Sequence, residues 1–143
     1  MTMRQNARLV IGLALAVALF ACSRPEPSEQ EGVKVTDIAV GRSVAADKTI
    51  AEQTDSFRPT DTIYVSVKTD GSAPSATLTA RWMYEDGQLV DESRQNIAPT
   101  AGATVTEFHL SKPDGWPAGV YTVEVLLNGA TAGTKDFKVE QAS

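Results

Sequence analysis

From Val33 onward, apolar side chains recur at alternate positions in short runs separated by turn residues. A period of two is that of half-buried β-strands, and no segment of this region carries the 3.6-residue period of an amphipathic helix. Val33, Val35 and Asp37-Ile38 open a first strand, interrupted at Gly41-Arg42 and resumed weakly at Val44. After a polar stretch from Asp47 to Pro59, Ile63, Val65 and Val67 alternate with Tyr64, Ser66 and Lys68, and Asp70-Gly71 ends the strand. Leu78, Ala80, Trp82 and Tyr84 then alternate with Thr79, Arg81 and Met83 before a turn at Glu85-Asp86-Gly87. The returning strand, Gln88 to Ile97, is mostly polar. Asp91, Glu92 and Arg94 there fit a sheet edge, where charges discourage pairing between molecules.

Further on, Thr104, Thr106, Phe108 and Leu110 share one face of a strand, with Val105, Glu107 and His109 on the other. The connection from Ser111 leads to Gly119, and Tyr121, Val123, Val125 and Leu127 form the next inward row. Asn128-Gly129 is a hairpin signal, with the chain resuming near Gly133 after a loop longer than two residues. Phe137 and Val139 close the last strand. About seven short strands at this spacing predict an all-β fold, an antiparallel β-sandwich.

Two details refine that expectation. Trp82 falls midway along the third strand, and Pro117-Ala118-Gly119-Val120-Tyr121-Thr122-Val123 sets a tyrosine at the opening of the penultimate strand. Together they resemble the immunoglobulin-like superfamily, from about residue 33 to 140. The resemblance implies that Trp82 lies between the sheets and that Tyr121 forms a tyrosine corner, its hydroxyl bonded to nearby backbone. The inter-sheet disulfide of antibody domains is absent, so packing around Trp82 has to replace it. The arrangement is also similar to small bacterial envelope lipoproteins of this fold.

The N-terminal pattern is of another kind. Arg4 and Arg8 precede an uncharged apolar run from Leu9 to Ala21, the layout of a signal peptide. A membrane-spanning helix needs roughly 20 apolar residues, and Arg24, Glu26 and Glu29 arrive too early for that. Cleavage after Ala16-Val17-Ala18 satisfies the ordinary A-x-A rule but leaves a short apolar core. Leu19-Phe20-Ala21-Cys22 resembles a bacterial lipobox, although Phe20 is larger than the residue usual there. That resemblance implies cleavage before Cys22 and lipid attachment to its thiol. Cys22 is the sole cysteine, so no disulfide partner competes for it.

The resulting domain map is a signal peptide over 1–21, a lipidated N-terminus and tether over 22–31, and a sandwich over 32–141. Residues 23–31 hold two prolines, three glutamates and no apolar side chain, too little to bury for folding. At about 3.1 Å per residue this tether spans roughly 28 Å, which keeps the domain near one membrane. Two or more acyl chains anchor stably where one does not. Ser23 after the cysteine resembles the pattern forwarded to an outer membrane, facing the periplasm, in a host with two membranes.

Removing residues 1–21 leaves 11 Lys and Arg against 18 Asp and Glu, a formal charge of −7. No basic stripe opposes this acidity, which excludes nucleic acid as an expected partner. The lipid, rather than the protein face, is the expected membrane contact.

Candidate chemistry is sparse. His109, the single histidine, falls on an outward strand face, away from the nucleophile and acid a catalytic base requires. With Cys22 acylated, no second His or Cys is left for zinc. Asp55, Asp61, Asp70, Glu85 and Asp86 match no calcium loop and serve more simply as turn residues. Neither cofactor nor metal is expected.

Binding candidates are side chains that burial does not explain. Tyr64, Arg81 and Met83 fall on outward faces, Tyr64 and Met83 being expected to shade one another across neighbouring strands. Trp116 lies in a loop, available to a partner or folded over the open end of the core. The leading expectation is a non-catalytic envelope lipoprotein, a protein-binding adaptor or accessory module. The alternative is a periplasmic inhibitor or immunity protein that blocks a hydrolase through Asp70 to Ser75 or Ser111 to Ala118. The sequence sets no oligomeric state.

Overall fold

Alternating burial along the strands drives two sheets together face to face. The computed structural model describes residues 32–142; the signal segment 1–21, Cys22 and the tether 22–31 lie outside the described residues. Within these, the strands are β1 (Val33–Val44), β2 (Ile50–Gln53), β3 (Ser56–Phe57), β4 (Ile63–Gly71), β5 (Ala76–Tyr84), β6 (Gln88–Ile97), β7 (Ala103–Leu110), β8 (Gly119–Leu127) and β9 (Ala130–Val139). One sheet runs β2-β1-β4-β7 and the other β3-β9-β8-β5-β6.

The sequence pattern predicts about seven strands, and two more are present. β2 and β3 lie in the stretch Asp47 to Pro59, whose polar composition hid them. They are short and sit at sheet margins, so burial imposes little alternation on them. β3 pairs in parallel with β9, whereas every other described pair is antiparallel. The first strand is also unbroken through Gly41-Arg42. Gly41 is there because β2 crosses it closely: a Cβ at this position would run into the Glu52 carbonyl oxygen and the Ile50 side chain.

The core forms from the inward rows. Val40, Ile63, Val65 and Val67 of the four-stranded sheet face Leu78, Ala80, Trp82, Tyr121, Val123 and Val125 of the other, all buried. At one end the packing is aromatic. Trp82 lies 6.2 Å from Trp116 and 6.1 Å from Phe137, ring centre to ring centre. Tyr121 stacks on Phe137 at 5.2 Å and meets the edge of Trp116 at 5.2 Å.

The last hairpin differs from expectation. Asn128 and Gly129 both adopt positive φ (51° and 85°), and Leu127 pairs directly with Ala130. The loop is therefore two residues long, the geometry Asn-Gly favours because glycine reaches positive φ without steric cost. Gly133, read as the start of the strand, lies inside β9 opposite Val125.

Candidate functional site

The outer face of the five-stranded sheet carries two of the four binding candidates. On β5, Trp82 points inward and is fully buried, so the period of two turns Arg81 and Met83 outward. Arg81 Nε donates to Glu92 Oε2 of β6 at 3.1 Å, and another nitrogen of its guanidinium donates to Glu124 Oε1 of β8 at 3.0 Å. Arg94 donates to the second oxygen of Glu92 at 2.8 Å. Hydrogen bonds from Arg81 and Arg94 hold the Glu92 carboxyl below its ordinary value. Arg81 is therefore fixed across three strands.

Met83 lies one step along from this network. Leu89 of β6 is its cross-strand partner, beside a bulge, and Thr122 of β8 faces it on the other side. Val120 is the next outward residue of β8 beyond Thr122. Leu89 and Val120 are 56% and 54% exposed, and they are the large hydrophobic side chains left open to solvent among the described residues. They flank Met83 on one face. Sequence reasoning missed both, yet the signals existed: Leu89 and Val90 open a largely polar edge strand, where alternation turns one of the two outward, and an inward Tyr121 forces Val120 outward.

The other two candidates lie elsewhere. Tyr64 is on β4 in the four-stranded sheet, so it cannot shade Met83, which sits on the opposite sheet. The error came from treating neighbours in sequence order as neighbours in space; β4 pairs with β1 and β7 instead. Tyr64 faces His109 across the strands, with ring centres 5.4 Å apart. His109 Nδ1 lies 2.6 Å from Glu107 Oε1 on its own strand.

Trp116 is 2% exposed, which removes it as a contact residue. Its indole N–H donates to the Asp61 carbonyl at 3.0 Å and its backbone N–H to the Pro59 carbonyl at 2.8 Å. The open end of the core draws the ring in, as the folded-over reading expected. Cys22 lies outside the described residues.

Both loops named for an inhibitor are fastened down. Ser72 N–H donates to the Gly32 carbonyl at 2.8 Å, and Ala73 N–H to that of Pro99 at 3.0 Å. Trp116 ties the Ser111 to Ala118 loop to Pro59 in the same way. A surface hollow of about 480 Å³ lies beside that loop, lined by Pro59, Asp114, Trp116 and Pro117 among others.

Of the acidic candidates, Asp61 serves the fold through its carboxylate, and Asp70 lies within β4, paired with Lys34 and Ala103, rather than in a turn. Arg42 Nε donates to Asp61 Oδ2 at 3.1 Å, and the Arg58 amide donates to the same oxygen at 2.8 Å. Burial alone would raise the Asp61 carboxyl, but these bonds hold it below its usual value. Glu85 and Asp86 lie in the β5–β6 turn, where Glu85 has φ of 50°. No group of three or more His, Cys, Asp or Glu side chains is gathered for a metal among the described residues.

No protein-family model and no curated protein matches the chain. Solved structures do match. The C-terminal domain of wzt aligns with a TM-score of 0.59 at 14% identity, over 84% of this chain and 81% of that one. An immunoglobulin-like protein from Pseudomonas aeruginosa aligns with a TM-score of 0.54 at 18% identity, over 79% of this chain and all of the other. An alkylpurine DNA glycosylase from Pseudomonas fluorescens, bound to DNA containing an abasic site analog, gives 0.52 at 16% identity, over 77% of this chain. This chain spans only 31% of that glycosylase. At these identities the likeness establishes the fold, an all-β immunoglobulin-like sandwich, and leaves the glycosylase's activity with the glycosylase.

Proposed function

We propose that this chain is a non-catalytic lipoprotein of the cell envelope, anchored through Cys22, whose sandwich serves as a protein-binding adaptor or accessory module. In a host with two membranes, Ser23 assigns it to the outer one, facing the periplasm. The observation that carries the binding reading is the grouping of Leu89, Met83 and Val120 on one exposed face beside a fixed Arg81. Arginine is enriched at interface hot spots, and exposed apolar side chains grouped beside one offer surface that binding can bury. Little ordering entropy remains to be lost at Arg81 on binding, because its carboxylate partners already hold it.

The test is a photoreactive amino acid at position 83 in cells, followed by mass spectrometry of captured proteins. An envelope protein captured at position 83, lost on Leu89→Asp and reduced by Cys22→Ser, is the expected result. Capture unaffected by Leu89→Asp, or no capture, overturns the assignment of this face.

A further inference from the structure

A sheet edge exposes unpaired backbone N–H and C=O groups, and natural proteins guard such edges. Three of the four edges described here are guarded. β2 has four residues and shifts register against β1. β3 has two residues. β6 is bulged at Trp82/Met83 and bears Asp91, Glu92 and Arg94.

β7 differs. Its eight residues pair with β4 without a register shift, from Ile63–Leu110 to Asp70–Ala103, and it holds no proline, lysine or arginine. Its free side is identified by one contact: the Gln95 side-chain amide, reaching from β6, donates to the Glu107 carbonyl at 2.5 Å. The Glu107 peptide groups therefore point away from β4. Alternation places those of Val105 and His109 on the same outer side. A side chain already fills one position of a ladder whose other rungs are open among the described residues.

We propose that β7 takes an extended segment of a basic partner protein as an added antiparallel strand, a second docking site independent of the Met83 face. Backbone hydrogen bonds would supply affinity, and alternate side chains the selectivity. The charge argues for a basic segment, since Glu107 is the acid on this edge and the chain without residues 1–21 carries a formal −7. The same charge disfavours a second copy. Antiparallel self-pairing centred on Glu107 sets two carboxylates opposite each other, which destabilises. Pairing Glu107 with the copy's His109 instead requires breaking the 2.6 Å Glu107–His109 contact in both copies.

The test uses the full-length protein in detergent micelles and two synthetic peptides of about ten residues. One alternates lysine with valine and threonine; the other has glutamate in place of lysine. The lysine peptide should slow hydrogen exchange at the amides of Val105, Glu107 and His109 and bind about tenfold more tightly than the glutamate peptide. Val105→Pro should abolish that protection while the domain stays folded, because proline is tolerated where an edge N–H faces outward. Glu107→Gln should reduce the preference for lysine. Equal binding of the two peptides overturns the charge assignment, and no slowing on β7 overturns the site. Protection of β7 that grows with protein concentration in the absence of peptide overturns the basic partner in favour of a second copy.

Discussion

The Tyr121 hydroxyl donates to the carbonyl of Pro117, four residues earlier, at 2.6 Å. This closes the corner that leads into β8 and fixes the ring against Trp116, Phe137 and Tyr84. Burial, with smaller contributions from Tyr84 and Glu85, pushes the phenol up to about 12. The neutral phenol is thus the form the fold favours.

An alkaline stability loss follows from that preference. An unfolded tyrosine ionises near pH 10, so the unfolded chain loses this proton earlier than the folded one. Stability from this group is complete below pH 10 and falls as the pH rises from there through about 12, by roughly 2 to 3 kcal/mol. Tyr121→Phe should cost about 1 kcal/mol at neutral pH through the lost hydrogen bond. It should also flatten the stability curve between pH 10 and 12. Urea denaturation of both proteins across that range checks this; parallel curves would show that Tyr121 does not titrate as described.

Trp82→Ala should destabilise the protein by about 3 to 5 kcal/mol, the range for large deletions in a core. The ring is fully buried and contacts Trp116 and Phe137, so its removal opens a cavity at the aromatic end. Trp82→Phe should cost less, since the indole N–H has no acceptor among the described residues and its loss breaks no hydrogen bond there. Denaturant midpoints measure both, and a loss below about 1 kcal/mol for the alanine variant would contradict the packing described.

Much of this fold was legible because burial writes a period of two into the sequence. Trp82 and the rows on β4, β5, β7 and β8 were readable for that reason. β2 and β3 were not, since strands of four and two residues at a margin carry no such pattern. The split of Tyr64 from Met83 was hidden as well, because alternation gives the face of a strand but not which strands share a sheet. Trp116 shows a third limit: whether a loop aromatic turns inward depends on acceptors such as the Asp61 carbonyl, fifty-five positions away.

Asp61 should reveal itself at low pH. Its carboxyl is held below the ordinary value in the folded chain, so its contribution is present above the unfolded value near 4 and is lost as pH falls below it. Asp61→Asn should cost about 1 to 2 kcal/mol at pH 7 by weakening the bonds from Arg42 and the Arg58 amide. Thermal denaturation of both proteins between pH 7 and 2 should show the gap closing as the acid limit is approached. A gap constant with pH would mean that the charge of Asp61 contributes nothing.

The lipid anchor is the prediction on which the envelope assignment stands. Cys22 ends an uncharged run behind two arginines and has no second cysteine to pair with. Cells fed labelled fatty acid should therefore place label on the wild-type protein and none on Cys22→Ser. Thiol-linked acyl chains contribute about 0.8 kcal/mol per buried methylene, so the serine variant should also move from the membrane to the soluble fraction. An unlabelled wild type with an N-terminus at Leu19 would replace the lipobox with ordinary cleavage after Ala18. In that event the sandwich would act as a free exported module, and the 28 Å limit that the roughly 3.1 Å per residue tether places on its partners would no longer hold.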